Sequence, residues 1–534
     1  MKNSIPYYLF ANVLVLSACT GLDPKEVKKR PNILFIMADD HAYQAISAYD
    51  SSLTKTPHID RLAKEGILFK NSCVTNSISA PSRAVILTGK HSHINGKIDN
   101  LSPFDTNQIT FPQILQQNGY QTAMFGKLHF GNNPKGFDEF KILPDQGNYY
   151  NPDFICKKEG NIKVEGYVTD IITQMTLNWL KKQRDPNKPF LLMCLHKAPH
   201  PEWFPDKTQF SKFTKKRFKE PSNLFDNFDH RGMASKKAEM SILKNMNWAG
   251  DSKIYPSIMD ELKIFETCKW DKIAFEKEIN RMNAQQRASW DSVYLAINEN
   301  FRKEYAQMNQ KELMQWRYQR YMQDYLACIG SVDESVGQIL DYLDQAGLSE
   351  NTIVVYTSDQ GFYLGEHGWF DKRFIYNQSF KTPLLIRWPN VIKAGISNEE
   401  MVQNLDFAQT FLEAASIVSP SDMQGKSLFP IFRGEGENFR EAAYYHYYEY
   451  PGIHAVKRHY GIVTKKYKLI HFYYDIDEWE LYDLKNDPNE MNSVYHQLEY
   501  NSIRDSLKKQ LVELRIKYKD SEELDKKFIS KIKI

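Results

Sequence analysis

Short apolar runs that alternate with helical segments dominate much of this 534-residue chain. Helical segments with Pro in the first turn and Gly at the end cover residues 56–66 and 110–119, and a long helix is predicted over 320–343. Four runs have the length and composition of buried strands: residues 32–37 (NILFIM), 121–125, 190–195 (FLLMCL) and 352–357 (TIVVYT). This order predicts an α/β fold, a doubly wound and mostly parallel sheet with helices on both faces.

Two stretches interrupt this alternation. Residues from about 203 to 315 are rich in Lys and Met and predict a helical or loop insertion. After about residue 419, aromatic strand candidates at 444–450, 460–463 and 469–474 precede a charged helix at about 501–519. We therefore expect a catalytic unit over residues 30–418 and a smaller C-terminal α+β subdomain over 419–534, formed by an antiparallel sheet and a helix.

The N-terminus resembles an export signal. An apolar segment at residues 5–18 follows Lys2 and ends in Leu16-Ser17-Ala18-Cys19, which resembles the lipobox of bacterial lipoproteins. A plain signal peptide cut nearby is the alternative. No later stretch is long and apolar enough to span a bilayer. The prediction is a lipoprotein signal peptide over residues 1–19 and a mature protein in the periplasm or at the cell surface, held to the membrane only by lipid on Cys19.

Overall composition limits the possible partners. A net charge of +3 gives no reason to expect nucleic acid as a ligand. Nine Trp, 31 Tyr and 31 Phe would suit stacking on carbohydrate, although aromatic cores have the same composition.

Polar residues follow each of the four predicted strands. They are Asp39 and Asp40, Lys127 and His129, His196 and His200, and Asp359 and Gln360. One acidic residue at a strand end is most often a turn former, but the carboxyl ends of parallel strands meet at one edge of a sheet. Asp39, Asp40, Asp359 and Gln360 offer hard oxygen ligands, which favour Ca²⁺ or Mg²⁺ over zinc. Such a cation would polarise an anionic ester and lower the pKa of a bound hydroxyl.

A further candidate is the run Ser79-Ala80-Pro81-Ser82-Arg83, which opens a predicted helix ending at Gly89. Ser79 would lie at or just before the helix N-terminus, where backbone N–H groups and the helix dipole favour an anion. Arg83 would lie one turn further on the same face. Position alone favours an ordinary N-cap role for Ser79.

The Ser-x-Pro-Ser-Arg run, continued by Leu87-Thr88-Gly89, resembles the signature of the type I sulfatases in its serine form. The resemblance extends from about Pro31 to the C-terminus. One departure is Gln360, where many members have Asn. Other blocks of that family occur in family order: Asp39-Asp40, Gly126-Lys127-Leu128-His129, Ala198-Pro199-His200, Asp359-Gln360-Gly361, Gly365-Glu366-His367-Gly368 and Lys372.

The resemblance implies an alkaline-phosphatase-like fold and a formylglycine made from Ser79 by a separate maturation enzyme. Its hydrate would attack sulfur and would bind Ca²⁺, or Mg²⁺, together with Asp39, Asp40, Asp359 and Gln360. The remaining catalytic residues follow from the same resemblance: Arg83 and Lys127 hold and acidify the hydrate, His129 takes the proton that drives sulfate release, and His200 and Lys372 serve the leaving oxygen.

Three local patterns resemble sulfatases that remove the 6-O-sulfate of N-acetylglucosamine in heparan sulfate, keratan sulfate or mucin glycans. They are residues 196–200 with Trp203, residues 368–373 and residues 453–461. By this resemblance Asp371 and Arg373 bind sugar hydroxyls, and His454 reaches in from the smaller domain. Alternatively, Asp371 and Arg373 pair with each other or with the scaffold, and His454 is simply packed among aromatic residues.

Three other functions remain open at this stage. One is a sulfatase of different regiochemistry or an arylsulfatase, because pocket shape sets the position attacked. Another is a phosphodiester or phosphonate hydrolase of the same superfamily. The third is an inactive glycan-binding surface lipoprotein in which Ser79 stays unmodified.

Overall fold

The computed structural model describes residues 29–530. Cys19 and the predicted lipobox therefore lie outside the described residues. Within residues 29–530, none of the helices combines the length and the apolar character that crossing a membrane requires.

The described part of the chain contains sixteen strands. In chain order they are β1 (Asn32–Ala38), β2 (Ile67–Phe69), β3 (Ser72–Cys73), β4 (Gln121–Lys127), β5 (Glu139–Leu143), β6 (Asp153–Cys156), β7 (Gly160–Lys163), β8 (Phe190–His196), β9 (Thr352–Ser358), β10 (Leu384–Arg387), β11 (Ile396–Asn398), β12 (Val402–Gln403), β13 (Ala442–Tyr447), β14 (His459–Thr464), β15 (Tyr467–Phe472) and β16 (Glu478–Asp483).

The helices of the same residues are α1 (Pro57–Glu65), α2 (Ser79–Thr88), α3 (Ser92–Asn95), α4 (Phe111–Gln117), α5 (Val168–Asn178), α6 (Lys207–Phe213), α7 (Met233–Lys237), α8 (Pro256–Glu261), α9 (Asp271–Ile279), α10 (Ala284–Glu304), α11 (Gln310–Gln345), α12 (Asn377–Phe380), α13 (Phe407–Ala414), α14 (Phe429–Phe432), α15 (Asn501–Lys517) and α16 (Glu522–Ser530).

A ten-stranded sheet forms the centre, in the order β11-β2-β10-β9-β1-β8-β4-β5-β6-β7. The five central strands β9, β1, β8, β4 and β5 are parallel, and antiparallel pairs occur toward both edges. The α/β prediction is confirmed. All four predicted strands belong to this parallel centre, because fully buried strands have continuous apolar runs.

Helices cover both faces of this sheet. Leu34 and Ile36 of β1 share one core with α1, α5 and α11, whereas Ile33 and Phe35 share the other with α2, α4 and α13. The alternation follows from the pleat of a strand, which sends successive side chains to opposite faces.

The predicted insertion is helical and belongs to the main core. It contains α6 to α10 and the start of α11, and Phe204, Trp290 and Tyr294 pack within the same core as the central strands. Helix α11 begins at Gln310, ten residues before the predicted start, since Asn309 accepts hydrogen bonds from the first free N–H groups.

A separate antiparallel sheet of four strands, β13-β14-β15-β16, follows near the C-terminus. Three of its strands and helix α15 lie close to their predicted positions, while β16 and α16 were not predicted. This sheet is joined to the larger unit by hydrogen bonds such as His446 N–H to the carbonyl of Thr75, at 3.0 Å.

Candidate active site at the carboxyl edge of the large sheet

The strand register brings the predicted polar residues to one edge. Ala38 of β1 pairs with His196 on one side and Ser358 on the other, and Gly126 of β4 pairs with Leu195 of β8. Because the parallel strands end level with one another, the residues that follow them share one rim. The residues predicted to share a rim lie together there, except His196, which is the last residue of β8 and whose ring bonds to Ser335 of α11 at 3.1 Å.

Helix α2 begins at Ser79, as expected, and its ten residues are all buried. Gly89 ends the helix in the left-handed region, with φ of 62°. The Ser79 hydroxyl donates a hydrogen bond to Asp39 Oδ1 at 3.1 Å, and the Asn100 side-chain oxygen accepts one from the Ala80 N–H at 3.0 Å. The helix N-terminus therefore directs Ser79 at the carboxylates of the rim.

Three carboxylates meet there. Asp39, Asp40 and Asp359 are fully buried, and one oxygen of each lies within 4.8 Å of the others. Burial raises the pKa of Asp40 to about 6, against the opposing charge of Lys372. Burial, together with the negative charge of Asp39, raises the pKa of Asp359 to about 7. Keeping all three ionised in this setting requires positive charge nearby.

Three cationic side chains supply such charge. Arg83 donates to Asp359 Oδ2 through Nε at 3.0 Å and Nη2 at 2.9 Å, and Lys127 pairs with Asp39. Lys372 Nζ lies 2.8 and 2.6 Å from the two oxygens of Asp40. The rim thus balances three carboxylates with three buried cations.

Gln360 completes the predicted metal ligands, with one difference in orientation. Its amide nitrogen faces Asp40, and its Oε1 is buried without a hydrogen-bond partner among residues 29–530. A half-turn of the amide exchanges the two atoms and would present the oxygen to the carboxylates. The unsatisfied oxygen and the all-oxygen donor set therefore fit a hard divalent cation.

The two predicted catalytic histidines lie on either side of this cluster. His200 Nε2 is 3.9 Å from Asp40 Oδ2, and burial and the charge of Lys127 hold the pKa of His200 well below its usual range. Burial lowers the pKa of His129 to about 4. Both imidazoles are consequently uncharged near neutral pH, which suits a base more directly than an acid.

Gln146 is a site residue that the sequence did not indicate. Its Oε1 accepts a hydrogen bond from Lys127, and its Nε2 lies 3.4 Å from His129 Nε2. It follows strand β5 in a loop with no recognisable motif, so no local signal marks it. Gln146 thus connects Lys127, the side chain paired with Asp39, to His129, the predicted base.

The predicted substrate-binding residues form a second cluster beside Lys372. Arg373 pairs with Asp371 through Nη1, and His454 Nε2 lies 3.2 Å from Asp371 Oδ2. His454 Nδ1 donates to the carbonyl of Glu239 at 2.8 Å. Burial would raise the pKa of Asp371, but Arg373, Lys372 and His454 hold it well below its usual range. The structure brings Asp371, Arg373 and His454 together. It also shows Asp371 and Arg373 paired with each other, which was the alternative to a substrate-binding role.

The backbone of this second cluster is strained. Asp371, Arg373 and His454 have φ values of 72°, 95° and 66°, in the left-handed region that non-glycine residues rarely occupy. Strain of this kind persists where surrounding contacts hold it and occurs often at ligand-binding sites.

Two other residues of the family motifs, Glu366 and His367, hold the segment before Asp371 in place and lie outside the substrate-binding cluster. Glu366 accepts hydrogen bonds from Gln44 Nε2 at 3.0 Å and from the Leu364 N–H at 2.6 Å. His367 bonds with Asp226 at 2.8 Å. These contacts fix the segment that leads to Asp371 and Lys372.

Comparison with known proteins agrees with this geometry. The family model described as Sulfatase matches residues 31–417, and the one described as N-sulphoglucosamine sulphohydrolase, C-terminal, matches residues 365–517. A Bacteroides thetaiotaomicron protein named N-acetylglucosamine-6-O-sulfatase is 47% identical over 536 residues, which cover 99% of this chain and 94% of that relative.

Two solved structures resemble this chain to different degrees. A protein in complex with its substrate D-glucosamine-2-N,6-O-disulfate superposes with a TM-score of 0.88 at 48% identity, over 92% of this chain and 99% of the other. The phosphonate monoester hydrolase of Agrobacterium radiobacter has a TM-score of 0.62 at 21% identity, over 92% and 96% of the two chains, and shares the fold alone.

The fold and the rim thus define a hydrolase with an alkaline-phosphatase-like architecture. Within that class, the chain belongs to the sulfatase family.

Proposed function

We propose that this sulfatase removes the 6-O-sulfate of N-acetylglucosamine from a sulfated glycan. The observation that supports it most is the position of Lys372, which lies between the carboxylate rim and the Asp371–Arg373–His454 cluster. A sulfate held at Lys372 would place the sugar that bears it beside that cluster. The relative named N-acetylglucosamine-6-O-sulfatase and the solved complex with D-glucosamine-2-N,6-O-disulfate support the same substrate class.

The metal is proposed to be Ca²⁺, with Mg²⁺ as the alternative, held by Asp39, Asp40, Asp359 and Gln360 and by residue 79. The bound cation would supply Lewis-acid activation of the anionic ester. Conversion of Ser79 to formylglycine by a separate maturation enzyme would supply a hydrated aldehyde as nucleophile.

The side chains around this position have defined tasks. Arg83 and Lys127, both beside Asp39, would orient residue 79 and stabilise negative charge near it. Lys372 would bind the sulfate oxygens. A divalent cation added to three carboxylates and three buried cations would make the rim positive, which favours binding of a sulfate anion.

Proton transfer is assigned to the two histidines. Neutral His129 is suited to accept a proton, and Gln146 fixes its position. His200 would give a proton to the departing sugar oxygen. For that step His200 must first bind a proton, and the negative charge of a bound sulfate would favour this by raising its pKa. General acid–base catalysis of this type contributes about 10² to 10⁴-fold to rate.

The lipobox at Cys19 further suggests a lipoprotein of the periplasm or cell surface. A glycan-degrading enzyme anchored there would meet its polymer substrate outside the cytoplasm. Globomycin-sensitive processing and lipid labelling at Cys19 would test this assignment.

The test combines modification with a substrate panel. After co-expression with a serine-type maturation enzyme, mass spectrometry of the Ser79 peptide should show the loss of two hydrogens. The modified protein should desulfate 6-sulfo-N-acetylglucosamine faster than 2-, 3- or 4-sulfated sugars, an aryl sulfate or a phosphonate monoester. Full activity from unmodified Ser79, or a preference for another regioisomer or ester, would contradict the proposal.

A further inference from the structure

Glu449 lies beside the predicted substrate-binding residues, although no motif marks it. It follows β13 in the C-terminal sheet and is 8% exposed. Its Oε1 lies 3.7 Å from Arg373 Nη2, and its Oε2 accepts a hydrogen bond from the Asn100 N–H at 2.7 Å. Glu449 therefore reaches from the smaller domain to the edge of the active site.

Asn100 connects Glu449 to the catalytic helix. The backbone N–H of Asn100 binds Glu449, while its side-chain oxygen accepts from the Ala80 N–H at 3.0 Å. Ala80 follows Ser79 directly in α2. The position of Glu449 is thus fixed relative to residue 79 through two hydrogen bonds.

Arg373 lies between the carboxylates of Asp371 and Glu449 and makes a hydrogen bond only to the first. Asp371 pairs closely with Nη1, whereas Glu449 is 3.7 Å from Nη2, beyond hydrogen-bond distance. The Arg373 Nε is buried and finds no acceptor within the described part of the chain. Donor capacity on Arg373 and acceptor capacity on Glu449 Oε1 therefore remain free for a ligand.

A sugar hydroxyl matches this pair of groups. It can donate its hydrogen to a carboxylate and accept a hydrogen bond from a guanidinium at the same time. Hydrogen bonds to ionised partners are roughly twice as strong as those between neutral groups. Two carboxylates flanking one guanidinium can bind two neighbouring hydroxyls of a pyranose ring.

We propose that Glu449 is a specificity-determining residue, which accepts a hydrogen bond from a sugar hydroxyl adjacent to the one bound by Asp371 and Arg373. This inference rests on the proposed action on a sulfated glucosamine. It assigns part of the discrimination between sugar and simple aryl sulfates to the C-terminal sheet, in addition to His454.

The test is Glu449→Gln in the maturation-modified enzyme. The amide oxygen of Gln can still accept from Asn100, so the loop is retained while the charge is lost. We expect kcat/KM for 6-sulfo-N-acetylglucosamine to fall about tenfold or more, mainly through KM, with a much smaller change for 4-nitrophenyl sulfate.

Deoxy substrates identify the hydroxyl. The wild-type enzyme should lose activity on both the 3-deoxy and the 4-deoxy analogue, because each lacks one hydroxyl of the bound pair. Glu449→Gln should cause no further loss only on the analogue that lacks its partner. Equal losses on every sugar analogue and on the aryl sulfate would overturn the inference, because they would indicate a structural role.

Two variants serve as references. Glu441→Gln removes an exposed carboxylate just before the same strand and should leave both activities unchanged. Asn100→Ala should lower both activities in parallel, because it loosens α2. Thermal melting of Glu449→Gln should match wild type. A wild-type enzyme inactive on 6-sulfo-N-acetylglucosamine would refute the proposed function, whereas an active one with an unaffected Glu449→Gln variant would refute only this inference.

Discussion

The rim of the large sheet and the cluster beside it are built in different ways. Most rim residues end or follow regular strands or lie in helix α2, and their charges are paired within buried contacts, although Lys372 comes from the same loop as Asp371 and Arg373. Asp371, Arg373 and His454 lie in loops, and His454 comes from a turn about 80 residues further along the chain. Their left-handed backbone is shared by Asp40 and His129 of the rim. Strand ends and helix α2 thus hold most of the groups assigned to chemistry, and loops hold the groups assigned to substrate choice together with Lys372.

The difference has a physical reason. Every sulfate ester presents the same tetrahedral group, so a rigid set of charges at fixed strand ends serves all of them. Sugars differ in the positions of their hydroxyls, and loops can change without disturbing the sheet. We expect substitutions at the rim to affect all substrates equally and substitutions in the loop cluster to affect them selectively.

Asp40→Ala should give the largest effect. It removes one carboxylate from the predicted cation site and leaves Lys372 without its partner, so turnover should fall by roughly 10³-fold or more on both sugar and aryl sulfates. Steady-state kinetics on both substrates would measure this loss, and elemental analysis should show reduced Ca²⁺ content.

The exposed carboxylate of Asp505 on α15 provides a control for Asp40, and Asp505→Asn should keep wild-type kinetics. A selective loss in Asp40→Ala, confined to the sugar substrate, would contradict the division between the two regions. Zinc as the bound metal, or full activity after removal of metal, would refute the cation site itself.

Arg373→Ala should give an intermediate and selective effect. Loss of a charge-assisted hydrogen bond leaves its partner unpaired at a cost of about 1.5 to 3 kcal/mol, or one to two decades in kcat/KM for 6-sulfo-N-acetylglucosamine. The aryl sulfate should change much less, because Lys372 binds the sulfate common to both. Equal losses on both substrates would mean that Arg373 supports the catalytic rim, and the proposed selectivity would lose its basis.

Acid should destabilise the sheets that carry the two regions alike, and this is the smallest of the expected effects. Burial lowers the pKa of His196 in the large sheet and of His459 in the small sheet to about 3. His459 accepts a hydrogen bond from the Ile375 N–H at 3.1 Å, which a charged ring could not do. In the unfolded chain these histidines bind protons below about pH 6.5. The stability that depends on their neutral form is therefore complete above that pH and declines toward pH 3.

For each fully buried histidine the decline is at most about 1.4 kcal/mol per pH unit. Thermal melting between pH 7.5 and 4.5 would measure it. His459→Gln can keep the hydrogen bonds to the Ile375 N–H and to the carbonyl of Lys457. It should reduce the slope of unfolding free energy against pH by the contribution of one proton. Equal pH dependence in wild type and His459→Gln would contradict the assignment of a neutral buried His459, because the buried carboxyls that change stability in the opposite direction are common to both proteins.

Much of the rim followed from the sequence because its signals are local. An apolar run ending in Asp39-Asp40, or in Asp359-Gln360, predicts both a buried strand and the residues at its end. Likewise, the Ser79 to Gly89 segment contains its own helix start and stop. Parallel neighbours share an edge, so Lys127 could be placed beside the acidic residues before any contact was known. Arg83 lies on helix α2, and only the resemblance to the sulfatase signature assigned it to the site.

Other features depended on contacts that no local pattern encodes. Strand β16 has three acidic residues among six and no continuous apolar run, and it forms because β15 pairs with it. Gln146 and Glu449 are single polar residues in ordinary loops, and their roles arise from Lys127, His129, Arg373 and Asn100.

The sequence by itself thus determined the fold class, the strand-end residues and the start of α2, because each depends on hydrophobic pattern or backbone capping within a few residues. Tertiary structure decided the partners of each charge: Lys372 with Asp40, Arg373 between Asp371 and Glu449, and His454 against Asp371. Electrostatic interactions depend on distance in space, and packing alone sets that distance between residues far apart in the chain.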